Sequence, residues 1–481
     1  MSNNDKKILI VGAGIAGLGS GYRLSEYNFD CTICEAANQI GGFATSFYYK
    51  GCIFDYGPHA FHAPDRETLN FFLNLMGDET LILKKKVEIK FRNKYFDYPI
   101  KPVNLLRNLD FFVLVKCIGS FLSEFVRKAF EGKDTDDSLE SFYIALYGKS
   151  LYQLFFENYT QKVWGVHPGK LSNGFLKHRL PAKNIFQLAY QSLKDTLGLQ
   201  KGTLAKDNEV SLQYYPRKGS IRFPEKMRDF IVSKGGEILL NKRVHKIHHD
   251  GKRITGVSVQ NNQNTETIPC DLSISTIPLT DFVKSMDPPP PQDILDSALK
   301  LRFRAMIIVC MVVNIPQVIH CDALYFHERI FNRMGQMNTY SPETVPPGKS
   351  AITIELTCFP DDAMWKWSDD ILVQKILDEL DIEGFHIHNQ VEGYFVLRSE
   401  YGYPIPTLGY EKKLSAVLHY LHQIQNLYIG GREGLFTYIQ MFHALQMGFK
   451  IADHILSGKE KPPLEFDSEG KQFAGKEPFF V

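Results

Sequence analysis

The stretch "KILIVGAGIAGLGSGYRL", residues 7–24, decides the architecture of this chain. Ile8 to Val11 read as a buried strand, and an amphipathic helix follows. Between them Gly12, Gly14 and Gly17 spell G-x-G-x-x-G. The first glycine permits a tight turn. The second lets the backbone approach a pyrophosphate, and the third lets the helix lie on the strand. The helix N-terminus, with Ala16 in its first turn, offers N–H groups and a positive dipole end to phosphates. A second strand, "CTICEA", carries Glu35, 21 residues beyond Gly14. A carboxylate there accepts hydrogen bonds from ribose 2′- and 3′-hydroxyls and repels a 2′-phosphate. The pattern therefore predicts a bound dinucleotide with an unphosphorylated adenosine.

Working outward, Gly41 and Gly42 form a second glycine turn soon after the acid, where a nicotinamide-binding domain would start another βαβ unit. The sequence resembles flavoproteins of the amine-oxidase and glutathione-reductase type, which use this pair for the rest of a long dinucleotide. The resemblance implies FAD. Three later segments agree. Residues 235–257 read as strand, turn and hairpin, and the resemblance brings the Val244 backbone to adenine. "CDLSISTIPL" (270–279) reads as a buried strand ending near Thr276. "LYIGGREG" (427–434), with Gly431, closes the sheet, and a helix from about 440 to 456, with Met441 in its first turn, points its N-terminus at the flavin.

The expected fold class is α/β: a Rossmann-like FAD-binding domain with an inserted helical domain and an antiparallel β-sheet substrate region. The expected division is 1–100, 213–290 and 411–481 for the FAD domain, 101–212 for a mainly helical substrate domain, and 291–410 for the antiparallel sheet over the active site.

Composition narrows the function classes. The chain has 481 residues, 44% of them hydrophobic, enough for a large core in two or three domains. Its 55 basic and 54 acidic residues are interspersed, which argues against nucleic-acid binding. "MSNNDKK" is no apolar signal segment and the 8 cysteines are scattered, so a reduced, cytoplasmic protein is expected. Cys31 and Cys34 form C-x-x-C on a predicted strand without a second pair nearby, so buried thiols are expected and no metal site. Residues 104–130 give the longest apolar helix, but Arg107, Asp110, Lys116 and Glu124 interrupt it. It reads as a helix packed in the second domain, not a transmembrane segment.

Several segments outside the glycine signature hold arginines and tyrosines. "ALYFHERIFNRMGQMNTYSP" (323–342) carries Tyr325 and Arg333, and "RSEYGYPIPTLG" (398–409) carries Tyr403. "GREGLFTY" (431–438) carries Arg432 and Tyr438, and "KLSNGFLKHRL" in the helical region carries Arg179. With "DYGPHAFH" (55–62), they resemble the UDP-galactopyranose mutase family over most of the chain, its longer eukaryotic type above all. That resemblance places Gly57 and His59 beside the flavin ring. It implies that Arg333 and Arg432 grip a substrate diphosphate, that Tyr325, Tyr403 and Tyr438 hydrogen-bond it, and that Arg179 approaches the substrate. Two cations and several hydroxyl donors are what a diphosphate requires.

The implied activity interconverts pyranose and furanose forms of a nucleotide sugar, with reduced flavin N5 attacking the anomeric carbon and no net redox change. Arg333, Arg432 and His59 are the catalytic candidates. The implied cofactor is FAD in its reduced form, with NADH or NADPH as candidate reductant and a homo-oligomer as a candidate assembly. Gln440 and Phe442 stand where the family carries polar residues. The competing expectations are an oxidase or desaturase of the amine-oxidase or protoporphyrinogen-oxidase type, and a non-catalytic flavin-binding partner protein.

Overall fold

The computed structural model describes residues 6–57, 59–100, 102–131, 136–174, 212–261 and 264–461. Strand Ile8–Val11 sends Ile8 and Ile10 into one hydrophobic core and Leu9 and Val11 into another. That is the period-2 pattern of a strand covered on both faces. It is the middle of a five-stranded parallel sheet, ordered Leu427–Ile429, Leu272–Ser275, Ile8–Val11, Cys31–Cys34, Glu237–Leu239. Strands this far apart in sequence meet because the chain leaves the sheet and returns, as the order of motifs predicts.

Helices Ile15–Glu26, Arg66–Met76, Arg222–Ser233 and Met441–Ser457 supply the core on one face. A meander of Arg243–His249, Ile254–Asn261 and Asn264–Pro269 supplies much of the other. Cys31 and Cys34, three positions apart on one strand, fall on opposite faces and in different cores. They share no site, and burial pushes both thiols up to about 12.

Helices Ile15–Glu26 and Met441–Ser457 cross at very close range. A Cβ on Gly448 would lie 2.3 Å from the Ala16 carbonyl oxygen, and the Ser20 hydroxyl donates to the Gly448 carbonyl at 3.1 Å. This crossing fixes the N-terminus of the last helix relative to the first glycine turn.

The second sheet has seven strands, ordered Val391–Pro404, Phe303–Val313, Ser350–Cys358, Arg333–Gln336, Ala323–Phe326, Val87–Phe91, Lys94–Asp97. Its pairs are antiparallel except Ala323–Phe326 with Val87–Phe91. Residues 87–97, which the expected division assigns to the first segment of the FAD domain, pair in this sheet. Along Phe303–Val313, Ile307, Val309 and Met311 face one core and Met306, Ile308 and Cys310 the other.

The helical region comprises Pro102–Asn108, Phe111–Glu131, Leu139–Tyr147, Lys149–Phe155 and Glu157–Trp164 among the described residues. The single helix expected over 104–130 is thus two, the second beginning where the Leu114 amide donates to the Asp110 carbonyl. Its Val113, Leu114 and Cys117 pack on the helical core, whereas Phe111, Phe112, Phe125 and Phe130 are exposed. No described helix is long and apolar enough to cross a membrane.

Candidate functional site

The parallel sheet ends at a cavity of about 480 Å³. Its lining contains Gly12, Gly14, Ala16, Glu35, Gly41, Gly42, His59, Val244, Thr276, Gly431 and Met441, all expected at the cofactor. The glycine turn is built for a close ligand. Gly12 has φ +104°, and the Thr276 hydroxyl sits 2.5 Å from where its Cβ would be. Gly14 caps the first helix with no side chain and has open space where a Cβ would stand. A Cβ on Gly17 would lie 2.0 Å from the Gly12 carbonyl oxygen, so Gly17 serves the helix–strand contact and does not line the cavity. Gly41 at φ +100° returns the chain, its amide donating to Ala13 O at 2.8 Å.

Glu35 is held by two backbone donors, Ala13 N at 2.8 Å and Ala37 N at 2.9 Å, one to each oxygen. Each oxygen keeps acceptor capacity for a hydroxyl. The helix Met441–Ser457 brings Gln440, Met441 and Ala444 to the opposite wall. Phe442 instead turns inward, 5% exposed within the sheet-covering core. The residues fit an adenine dinucleotide: a helix N-terminus without a side-chain cap for the pyrophosphate and an oriented acid for the ribose.

Arg432 lines this cavity, and Arg333 lies next to it. Arg333 and Glu355 are directly opposed across neighbouring strands. The guanidinium donates from Nε at 2.9 Å and from Nη2 to the same carboxylate oxygen, and Nη1 reaches the Tyr325 hydroxyl at 3.5 Å. Gly57, at φ +111°, does not line the cavity; a Cβ there would strike the Glu355 carboxylate at 2.2 Å. Burial works against the Arg333 charge, but Glu355 beside it holds the guanidinium firmly protonated.

Arg432 donates to the Gly402 carbonyl at 2.6 Å and lies over the rings of Tyr438 at 4.6 Å and Tyr403 at 5.2 Å. Its Nε is buried without a hydrogen-bond partner, 3.4 Å from a Glu433 oxygen that also has none. Both arginines act on the same two side chains. They help depress the His59 imidazole, which burial above all lowers to about 4. They also oppose the rise that burial imposes on the Tyr403 hydroxyl. His59 is therefore neutral at neutral pH. Its Nδ1 lies 2.9 Å from the Gly57 carbonyl, which can only accept, so the proton is on Nδ1 and Nε2 is an acceptor. The structure thus brings Tyr325, Arg333, Tyr403, Arg432, Tyr438 and His59 around one space. Arg179 lies outside the described residues.

Residues 15–456 match the family described as "Flavin containing amine oxidoreductase". The chain belongs to that family. Among curated relatives of this flavin amine oxidoreductase is a Klebsiella pneumoniae protein named "Probable UDP-galactopyranose mutase". It is 28% identical over 201 residues, 40% of this chain and 50% of the relative. The dTDP-fucopyranose mutase of Escherichia coli is 27% identical over 37% of this chain and 46% of its own length. The mitochondrial protoporphyrinogen oxidase of Nicotiana tabacum is 23% identical over 58% of this chain and 59% of its own. The chain thus spans about half the length of the curated relatives it matches. Among solved structures, that of reduced UDP-galactopyranose mutase superposes with a TM-score of 0.80, at 19% identity over 95% of this chain and 96% of that one. Putrescine oxidase superposes at 0.62, with 13% identity over 94% and 99%. These likenesses establish the flavin amine-oxidase fold.

The flavoenzyme's site holds further residues that sequence reasoning did not select. Glu355 is 4% exposed on the wholly buried strand Ser350–Cys358, and an acid inside "SAITIELTC" was its available signal. Trp164 packs against Tyr403 and Tyr438 with ring centroids 5.8 and 5.7 Å away. Tyr98 and Tyr159 flank Tyr325. Their marks in the sequence are only those of ordinary aromatic packing.

Proposed function

We propose that this flavoenzyme is a nucleotide-sugar mutase that interconverts pyranose and furanose forms, with UDP-galactopyranose and UDP-galactofuranose or a close analogue as substrate. The observation that carries this reading is the convergence of Arg333 and Arg432 with three tyrosines beside the dinucleotide cavity. The names of the two mutase relatives support it. Glu35 would hold the adenosine ribose of FAD and the Gly12–Gly14 turn its pyrophosphate. Bound in reduced form, with NADH or NADPH as reductant, FAD would supply the nucleophile for the anomeric carbon.

The chain's own residues do the rest. Arg432 lies over Tyr403 and Tyr438, with its Nε 3.4 Å from Glu433, and its guanidinium is the cation these rings frame for a phosphate. Arg333, braced by Glu355, presents Nη1 and the Tyr325 hydroxyl as a second clamp. Together they neutralise the departing diphosphate and keep it close for its return. Neutral His59 offers Nε2 as an acceptor without adding a third positive charge.

A second reading, an oxidase of the protoporphyrinogen-oxidase type, draws on one observation. Arg333 is charge-compensated by Glu355, so this end of the site is less cationic than its arginines alone. The deciding experiment is turnover of UDP-galactofuranose by the purified flavoprotein with and without dithionite. Product formed only after reduction, with no reductant consumed per turnover, supports the mutase. A reduced enzyme that ignores UDP-sugars and is reoxidised rapidly by oxygen, in contrast, supports the oxidase.

A further inference from the structure

Lys162 belongs to the helix Glu157–Trp164, yet its ammonium is buried in the turn that joins Ala323–Phe326 to Arg333–Gln336. Nζ donates to the carbonyls of Phe326, Arg329 at 3.1 Å and Phe331 at 2.9 Å, with His327 at 3.3 Å sharing a proton. Burial lowers the Lys162 ammonium to about 7, and four carbonyls of a single turn gather around this one group. Tyr325 and Arg333 are the paired residues at the two ends of that turn. The Lys162 carbonyl in turn accepts from Thr357 Oγ1 at 3.1 Å and Arg304 Nη2 at 3.3 Å, which ties the helix to the sheet beneath. Two residues further along the same helix, Trp164 packs on Tyr403 and Tyr438.

We infer that Lys162 is a positioning residue: its ammonium sets the turn that places Arg333 and Tyr325 against the substrate diphosphate. The role rests on the diphosphate reading above. Four part-buried carbonyls deprived of their donor would rotate toward other partners or water. Arg329 would still anchor the tip of the turn through Glu379 and Glu383, so the turn would shift rather than unfold.

The test compares wild type with Lys162→Met and Lys162→Ala, reading UDP affinity by calorimetry and amide hydrogen exchange across residues 326–332. The Met variant should retain flavin, lose tenfold or more in UDP affinity and exchange faster in this turn. Methylammonium should restore affinity to the Ala variant, while tetramethylammonium, which cannot donate hydrogen bonds, should not. UDP affinity within twofold of wild type in a folded Met variant overturns the inference, as does a uniform loss of stability with intact affinity and no rescue. Should the Met variant not fold, Lys162→Arg, which keeps the charge but overfills the ring of carbonyls, should weaken UDP at least threefold; no change there overturns it equally. If wild type itself does not bind UDP, the diphosphate reading fails, and exchange in the turn still shows whether Lys162 sets it.

Discussion

At the scale of single residues, the two arginines differ in what surrounds them, and the difference is testable. Arg432 stands over Tyr403 and Tyr438 with its Nε 3.4 Å from Glu433 but not hydrogen-bonded to it, while Arg333 donates to Glu355 from two nitrogens across neighbouring strands. Arg432→Ala should therefore cost UDP binding about 10- to 100-fold, the worth of lost charge-assisted hydrogen bonds at about 1.5–3 kcal/mol. Because Arg432 lines the cavity, flavin content is followed alongside by absorbance, while titration calorimetry on the yellow protein reads the UDP affinity. His59 gives a pH prediction. Its folded value of about 4 lies below the ordinary value of 6.5. As pH falls between these, the unfolded chain takes up a proton that the folded one refuses. The contribution is whole above 6.5 and gone near 4, about 3 kcal/mol in all. Unfolding free energy measured from pH 7 to 4 should fall less steeply for His59→Asn. His327 and His422, also lowered to about 4 by burial, act equally in both proteins and cancel in the difference.

At the scale of elements, the cofactor cavity depends on the crossing of the first and last helices. Gly448→Ala would gain about 1 kcal/mol of helix propensity. Its new Cβ would meet Ala16 O at 2.3 Å and Ser20 N at 2.8 Å, backbone that yields only if the helices separate. Overpacking of this kind costs about 1–3 kcal/mol, so the net effect should be destabilising, with a lower melting temperature and weaker flavin retention in a thermal melt followed by flavin fluorescence. The elements around this cavity were legible because their signals are local. Gly12, Gly14, Gly17 and Glu35 declare strand, turn and helix within one short segment. The Arg333–Glu355 pair was not legible, because it depends on which residue lies opposite which across two strands, and that register is fixed by packing rather than by spacing. Lys162 was hidden for the same reason: an ammonium in "YTQKVWG" reads as a surface charge until the turn closes around it. The break at Asp110 was missed because the apolar period continues through it.

At the scale of the whole molecule, the site is assembled from bodies that the chain visits repeatedly. All 8 cysteines are buried within those bodies. A thiol reagent such as 5,5′-dithiobis(2-nitrobenzoate) should therefore find essentially none in the native protein and all 8 after denaturation. Rapid labelling of Cys31 or Cys34 in native protein would contradict the burial of that strand. Cofactor and substrate functions should likewise separate. Glu35 directly follows the strand Cys31–Cys34 of the parallel sheet, whereas Arg333 and Glu355 belong to the seven-stranded sheet. Glu35→Ala removes the acceptor for the ribose and the anchor for the Ala13 and Ala37 amides. It should release flavin on dialysis, and UDP binding should fall only as far as the flavin builds part of that surface. Arg333→Ala leaves the glycine turn untouched, so the protein should stay yellow while UDP affinity drops about tenfold or more. It also strands Glu355 as a buried, unpaired carboxylate, at about 3–5 kcal/mol. The double variant Arg333→Met, Glu355→Leu removes that burden and should recover stability but not UDP affinity. Recovery of both would mean that the arginine only balances a buried charge, and the diphosphate clamp would have to be sought elsewhere in the cavity.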